Sequence, residues 1–194
     1  MYCNWLSRKE GLQSCYERTG KIHKFPYAER FNEDWRLIPE RNGYRLPTNA
    51  EWELACRGSP TTDYSFGNDT RFLARYAVHK KVRPEPCGSQ MPNEWGLFDM
   101  HGNAEELCND WVRDFCSDME SKTDPLGPSK PVYLSTRYPD SLPVDGRNSR
   151  HWRKIRCGGY FGEVVLNKAS FQHSDIPINS ELPDTGFRAV RNLE

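Results

Sequence analysis

The sequence predicts an irregular α+β domain with short strands, few helices and long loops. Three observations lead to this fold class. The chain has 194 residues, enough for one domain with a sizeable core. Its mean hydropathy is low, at −0.86, yet 12% of its residues are aromatic, and disordered chains are poor in aromatic residues. Apolar runs are short and separated by turn-forming residues, which is typical of a loop-rich domain with an aromatic core.

Charge and cysteine usage exclude several classes of function. Lys and Arg number 27 and so do Asp and Glu, so we expect neither nucleic acid nor a membrane surface as a partner. No apolar run is long enough to cross a bilayer, and no signal peptide is evident. The seven cysteines form no CxxC pair and no zinc-ligand spacing, so they predict no zinc site. The compartment stays undetermined.

The first two segments are predicted from side-chain spacing. Tyr2, Trp5 and Leu6 share one face at helical spacing, and Gly11 follows as a stop signal. The stretch 15–41 mixes charged with aromatic residues and has no clear period. We therefore predict a short helix followed by an irregular excursion that aromatic contacts hold in place.

The segment 48–58 is the clearest local signal in the chain. Thr48 can cap a helix while Glu51, three residues later, reaches back to the amide of the cap. Trp52, Ala55 and Cys56 then form an apolar face, and Gly58 is placed to end the helix. The sequence predicts a helix with a capping box here.

The remaining elements are predicted to be short, and no linker or repeat divides the chain, so we expect one domain over residues 1–194. A short helix is expected near 72–77, and a short strand entering a tight loop at 94–103. The Pro-, Gly- and Asp-rich stretch 124–148 predicts a long surface excursion. Further short strands are expected at 155–161, 163–166 and 186–190.

Six segments of the chain together resemble the sulfatase-modifying-factor (formylglycine-generating enzyme) family. In chain order they are YCNWLSRKEGL, GYRLPTNAEWELACRG, CGSQMPNEWGLFDMHGNAEELCNDW, DPLGP, RCGGYF and TGFRAVR. They resemble that family's early helix, its RLPTEAEWEYA and GLYDMxGNVWEW signatures, a turn, RGGSW and the closing GFRxxR. The resemblance implies a variant of the C-type lectin fold. The family's strands that precede the first helix have no counterpart in this sequence.

The resemblance also implies where catalysis would occur. Enzymes of the family oxidise a sulfatase cysteine to formylglycine with molecular oxygen, and two cysteine thiolates hold Cu(I). The equivalent positions here, shortly after the twin glycines, are Glu163 and Lys168. Neither side chain is a soft ligand, so we expect no Cu(I) binding and no oxidation by the family mechanism. An ion pair between Glu163 and Lys168 across this site is an alternative expectation. Cys157, just before the glycines, is interpreted as a buried strand residue.

A structural calcium site is the second expectation. The loop 99–106 places Asp99 and Glu106 around the carbonyls of Gly102 and Ala104, and calcium binds oxygen ligands of these kinds. The resemblance implies calcium contacts at the same positions. Glu105 and Leu107 stand where the family has tryptophans. A capped turn without metal is the alternative, and a second calcium site between residues 75 and 93 is not expected.

Three functions remain open on the sequence. The first is an enzyme of the family; the second is a non-catalytic module that binds a peptide or protein. For the second, a groove near the family's cleft would be lined by Trp152, Arg156, Tyr160, Phe161 and Phe171, although the same residues could form the core. The third is a truncated gene fragment. The five histidines are scattered without an HxxxH pair, so iron chemistry of related domains is not indicated.

Overall fold

The structure is a computed structural model that describes residues 2–24, 31–111, 126, 152–156, 159–177 and 184–192. The described helices are α1 (Tyr2–Lys9), α2 (Asn49–Arg57) and α3 (Leu73–Tyr76), and 3-10 turns span Thr70–Phe72 and Val164–Asn167. The strands are β1 (Tyr16–Lys24), β2 (Phe31–Leu37), β3 (Tyr44–Arg45), β4 (Glu105–Trp111), β5 (Trp152–Arg156), β6 (Gln172–Pro177), β7 (Thr185–Phe187) and β8 (Val190–Arg191). The predicted class, α+β with few helices and short strands, is confirmed.

The strands form three small sheets in the described part of the chain. A four-stranded sheet has the order β6-β5-β4-β7, in which only the β4–β7 pair is parallel. β1 pairs with β2, and β3 pairs with β8, both antiparallel. No helix among the described residues is long and apolar enough to cross a membrane.

Helix α2 forms as its sequence predicts. The Thr48 side chain accepts a hydrogen bond from the amide of Glu51 (3.1 Å), and the Glu51 carboxylate accepts one from the amide of Thr48 (2.7 Å). Trp52 and Cys56 are buried, and Gly58 ends the helix at a positive φ. The short helix expected near 72–77 is also present, as α3 with the 3-10 turn before it.

Helix α1 is present as predicted, and its most buried residues are not Tyr2 and Trp5. Tyr2 and Trp5 are about half exposed, whereas Cys3, Asn4 and Ser7 are buried. The polar side chains satisfy neighbouring backbone groups: Asn4 bonds both the amide and the carbonyl of Tyr16, and Ser7 accepts from the amide of Tyr44. Hydrogen bonds to Tyr16 and Tyr44 thus attach the helix to the strands beside it, and the Tyr2 ring also contacts Phe187.

The excursion predicted for 15–41 is a β-hairpin. β1 and β2 pair over Tyr16↔Leu37 to Lys24↔Phe31, with a register shift between Arg18 and Ile22. Charged side chains pair across the strands, as Arg36 does with Glu17 (3.2 Å). Cross-strand charge pairs stabilise antiparallel strands. The two strands therefore pair although the sequence lacks the alternating apolar pattern that would predict them.

The strand predicted at 94–103 is a turn. The Asn93 side chain accepts hydrogen bonds from the amides of Trp95 and Leu97, both at 3.0 Å, and Gly96 has φ of 76°. A side chain that captures backbone donors competes with a strand ladder, so the segment folds back instead. The strand begins only at Glu105.

The strands predicted after residue 154 are shorter than expected. β5 ends at Arg156, and 163–166 lies mostly in a 3-10 turn, because the Tyr64 hydroxyl binds the carbonyl of Val164 and bends the chain. The strand predicted at 186–190 is split into β7 and β8. The excursion predicted for 124–148 lies outside the described residues, apart from Leu126.

Buried apolar residues form three separate clusters. The first holds Trp52, Cys56, Met100, Cys108 and Ala169, and connects α2 with β4 and the loop after β5. The second lies between α1 and β1 (Cys3, Cys15, Tyr16), and the third surrounds α3 (Tyr64, Leu73, Ala77). Buried polar groups connect these clusters. Glu163 adjoins Val164, which packs on the third cluster, and Lys168 adjoins Ala169 of the first.

Candidate functional site

The loop 159–171 carries Glu163 and Lys168, which the resemblance to the family aligns with its catalytic cysteines. Neighbouring segments hold it through its backbone. The amide of Tyr160 donates to the carbonyl of Asn103 (2.9 Å), and the carbonyl of Tyr160 accepts from the amide of Lys81 (2.8 Å). Further along, the amide of Ala169 donates to the carbonyl of Asp63 (2.8 Å). The loop is thereby fixed to three other parts of the chain.

His101 is a further anchor of this loop. Its Nε2 accepts a hydrogen bond from the amide of Ser65 (3.1 Å), so the proton of the neutral ring lies on Nδ1, which donates to the carbonyl of Asn167 (2.9 Å). Burial lowers the pKa of His101 to about 4, so the ring is neutral at physiological pH. The Asn167 side chain donates in return to the carbonyl of His101. Histidine here is a structural part of the site.

Glu163 and Lys168 occupy the two ends of the 3-10 turn Val164–Asn167. The expected ion pair between them is wrong, because each is paired elsewhere. Glu163 binds the Lys80 ammonium at 3.1 Å, and Lys168 binds the Asp63 carboxylate at 2.8 Å. The turn directs the two side chains to different neighbouring loops, and the Glu163 side chain is 72% exposed.

Two thiols lie in the first apolar cluster, Cys56 and Cys108, and both are fully buried. Burial raises the pKa of both thiols, so both stay protonated at neutral pH. The Cys56 thiol donates to the carbonyl of Met100 (3.2 Å), and the neutral His101 ring lies 3.7 Å from its sulfur. They form no disulfide, and Cys157 and Cys116 lie outside the described residues.

The residues expected to hold calcium fit that ion only in part. The Glu106 carboxylate is committed: its oxygens accept hydrogen bonds from Arg188 (2.7 and 3.0 Å) and from the Trp52 indole (2.7 Å). The carbonyl of Gly102 accepts from the amide of Ala104 (3.1 Å). No group of three His, Cys, Asp or Glu side chains within the described ranges is arranged to hold a metal ion. Glu106 and the carbonyl of Gly102 are therefore already engaged within the chain.

Asp99 differs from Glu106 and Gly102. It is 9% exposed; its Oδ2 accepts from the amide of Gly88 (2.8 Å), whereas its Oδ1 is buried with no hydrogen-bond partner in the described chain. Its φ of 60° is unusual for a residue other than glycine. Asp99 therefore offers one open carboxylate oxygen to a cation, and calcium binding stays a prediction that rests on this residue.

The residues expected to line a groove differ in their exposure. Arg156 is 1% exposed, so its assignment to a groove is wrong: the guanidinium lies in the core, where it binds Glu53 (2.8 Å) and the carbonyl of Ala169 (3.0 Å). Phe161 is 76% exposed, and Tyr160 and Phe171 are partly buried. β5 contains Trp152, whose side chain lies outside the described part of the structure.

Three residues beside the loop were missed by sequence reasoning. Lys80 and Asp63 pair with the two catalytic positions from remote parts of the chain, so no local motif predicts them. Glu105 lies where the family has tryptophan, and this replacement of an aromatic ring by an acid could have identified the residue from the sequence. Burial, with the charge of Asp184, raises the pKa of Glu105 to about 7, and the side chains of both residues lie next to Gly159. An acidic pair thus lies next to the glycine turn.

The chain is similar in sequence to known proteins. Over 98% of its length the chain is 29% identical to the chaperone protein LppX of Paenibacillus barcinonensis, and it covers 65% of that protein. It is 34% identical over 104 residues to the formylglycine-generating enzyme of Thermomonospora curvata, which covers 44% of this chain and 34% of that enzyme. The chain therefore spans less than two thirds of the length of either relative.

A solved structure gives the same result for the fold. Treponema denticola variable protein 1 superposes with a TM-score of 0.76 at 27% identity, over 98% of this chain and 67% of that one. The sulfatase-modifying factor enzyme 1-like domain matches residues 1–193, which is nearly the whole sequence. The chain belongs to the sulfatase-modifying factor enzyme 1-like domain family.

Proposed function

We propose that this chain is a non-catalytic, protein-binding domain of its family and does not oxidise cysteine with copper. The observation that carries the proposal is the pair of residues at the catalytic positions. Glu163 and Lys168 provide no sulfur, and Cu(I) prefers thiolate ligands. Both side chains are already engaged in ion pairs with Lys80 and Asp63. The positions that hold copper in the family thus connect loops here.

The other thiols of the described chain are poor substitutes. Burial raises the pKa of Cys3, Cys15, Cys56 and Cys108, and a protonated thiol is a weak metal ligand. Cys87 is exposed and lies next to Gly88, and the described residues include no group of three His, Cys, Asp or Glu side chains that could hold a metal ion. A copper centre with two sulfur ligands therefore has no support among these residues.

The protein-binding half of the proposal rests on the relatives and on the surface. LppX, which matches this chain over 98% of its length, is named a chaperone protein, and a chaperone acts on another protein. Phe161 projects from the loop 159–171 with 76% of its surface exposed, next to the positions where the family meets its substrate. A domain that presents an exposed aromatic side chain on this loop but lacks the copper ligands is suited to bind a protein without chemistry.

The catalytic half is tested by incubating the protein with a CxPxR sulfatase peptide, Cu(I) and oxygen, followed by mass spectrometry. We expect the peptide cysteine to keep its mass, while an established formylglycine-generating enzyme converts it in parallel. Copper-dependent conversion by the chain itself would contradict the proposal.

The binding half is tested by fluorescence anisotropy with labelled unstructured peptides of acidic, basic and neutral composition. We expect at least one class to bind, and Phe161→Ser to weaken that binding. The absence of binding to all three classes would reject a peptide-binding role.

A further inference from the structure

Two exposed segments lie side by side next to the catalytic positions. The amide of Lys81 donates to the carbonyl of Tyr160 at 2.8 Å, which joins the segment 80–83 to the loop 159–171. One residue away, the Lys80 ammonium binds the Glu163 carboxylate at 3.1 Å. We call the surface formed by Lys80, Lys81, Val82, Arg83, Phe161, Glu163 and Val165 the 80/163 face.

Three apolar side chains of this face are directed to solvent. Val82 is 93% exposed, Phe161 is 76% exposed and Val165 is 54% exposed. Val164, between Glu163 and Val165, instead packs on the buried cluster around Tyr64, so the 3-10 turn separates an inward from an outward apolar residue. Single exposed apolar residues are ordinary, but three on one face with a charged rim are typical of an interaction surface.

The charge of the 80/163 face is positive. Its only acid, Glu163, is paired with Lys80. Lys81 and Arg83 are exposed and have no ion-pair partner within the described part of the chain, in a protein whose overall net charge is zero. Two unpaired cations beside three apolar groups are complementary to carboxylates interspersed with apolar side chains.

We propose that the 80/163 face binds an unstructured acidic segment of another protein, in which carboxylates alternate with apolar side chains. This inference rests on the proposed binding function and names the partner class for the same surface. Lys81 and Arg83 attract the carboxylates, while Val82, Phe161 and Val165 bury the apolar side chains between them. A nucleic-acid strand would use the two cations but would leave the aliphatic groups without a matching surface.

The probe is a fluorescein-labelled peptide in which Asp and Glu alternate with Leu and Phe. Three other probes have the same length: one with Lys at the acidic positions, one with Ser at the apolar positions, and a single-stranded oligonucleotide. The variants are Lys81→Glu/Arg83→Glu and Phe161→Ser. Lys21→Glu and Ile22→Ser are the matched controls, because both residues are exposed but lie on β1.

We expect the acidic-apolar peptide to bind most tightly. Its affinity falls by about tenfold or more in the double charge variant, and also in Phe161→Ser, whereas the controls stay within about twofold of the wild type. Binding also weakens as salt is added. Equal or tighter binding of the lysine peptide or the oligonucleotide overturns the inference, as does an equal loss in the controls or no binding of the acidic-apolar probe.

These outcomes separate this inference from the proposed function. Binding of the lysine peptide that is sensitive to Phe161→Ser would leave a protein-binding role standing and would reject only the acidic partner. Copper-dependent oxidation of the sulfatase peptide would reject the non-catalytic role whichever peptide binds at the 80/163 face.

Discussion

Arg156 connects three parts of the molecule through one buried guanidinium. It is 1% exposed and donates to Glu53 (2.8 Å), to the carbonyl of Asn49 (3.1 Å) and to the carbonyl of Ala169 (3.0 Å). Burial by itself would raise the pKa of Glu53, but the hydrogen bonds from Arg156 and Arg57 outweigh it, so that pKa is lowered. Helix α2 is thereby joined to the loop of the catalytic positions.

Replacing this guanidinium is expected to destabilise the fold strongly. Arg156→Met keeps the aliphatic volume but leaves one carboxylate oxygen of Glu53 and the carbonyls of Asn49 and Ala169 without this donor, which costs about 3–5 kcal/mol of the free energy of unfolding. Arg57→Met is the matched control, because Arg57 also binds Glu53 (2.8 Å) but its side chain is 22% exposed; we expect about 1 kcal/mol. Urea denaturation measures the free energy of unfolding of both variants. Equal losses in the two variants would contradict the inference that burial makes the Arg156 contacts more costly to remove.

The open oxygen of Asp99 gives the calcium prediction a direct test. A buried carboxylate oxygen without a donor carries an unrelieved desolvation cost of about 1–3 kcal/mol, which a bound cation would offset. We expect calcium, added after chelation, to raise the melting temperature of the wild type but not of Asp99→Asn. Magnesium serves as the control ion because it gives up its water reluctantly. If calcium leaves the wild-type melting temperature unchanged, the site is rejected.

At the scale of elements, the capping box of α2 is the feature that sequence and structure share most closely. The side chain and backbone of Thr48 exchange hydrogen bonds with Glu51, and Glu51 also binds Arg45 through both oxygens at 2.7 Å. These contacts fix where the helix begins and attach it to β3.

Thr48→Ala is therefore expected to lower the free energy of unfolding by about 1 kcal/mol, and Thr48→Ser to retain most of it, since serine is an equally good cap. Thr70→Ala is the control, because Thr70 begins a 3-10 turn and is exposed. We expect its effect to stay within about 0.5 kcal/mol in thermal or urea melts. A loss in Thr48→Ser as large as in Thr48→Ala would show that the cap hydrogen bond is not the cause.

Elements were predictable where the determining contacts are local. The capping box of α2 lies within four residues, and so its helix could be read directly from the sequence. The strand predicted at 94–103 failed because the pattern gave no sign that Asn93 would capture two amides. The burial of Asn4 and Ser7 in α1 could not be predicted, because their hydrogen-bond partners lie 12 and 37 residues away.

The candidate site shows the same division. Glu163 and Lys168 were identified from their distance to the twin glycines, which is a property of the sequence. Their ion-pair partners, Lys80 and Asp63, come from loops more than 80 residues earlier in the chain, and only the folded structure brings them together. The spacing thus shows that Glu163 and Lys168 stand where thiolates are expected, but it does not predict which side chains they pair with.

On the scale of the whole molecule, stability depends on polar connections between small apolar clusters. The Tyr16 hydroxyl, in the second cluster, contacts Asn109 of β4 at 3.1 Å. His101 connects the first cluster with the third, since its ring lies beside Cys56 and packs edge-on against Tyr64. Some of these connecting groups, such as His101, are buried and titratable. The pH dependence of the free energy of unfolding therefore reports on the contacts between the clusters.

Two buried groups titrate in the same range with opposite effects. The pKa of His101 falls to about 4 through burial, so the unfolded state binds its proton first and stability is lost as pH decreases from about 6.5 toward 4. The pKa of Glu105 rises to about 7 through burial and the charge of Asp184, so stability is lost as pH increases from about 4.5 toward 7. Between pH 4.5 and 6.5 the two slopes oppose each other.

Removing one of the two groups should leave only the other group's contribution to the pH dependence of the free energy of unfolding. Relative to the wild type, Glu105→Gln is expected to gain stability as pH rises from about 4.5 to 7, by at most about 1.4 kcal/mol per pH unit, because the variant no longer has to ionise a buried carboxyl. His101→Gln should show the opposite slope relative to the wild type, since the variant loses the preference of the folded state for a neutral ring.

Exposed Glu94→Gln is the control and should follow the wild type. Urea unfolding at half-unit pH intervals measures all four proteins. A slope for Glu105→Gln that matches the Glu94→Gln control would mean that Glu105 is ionised in the folded protein, and that the carboxyl beside Gly159 is not held in its neutral form.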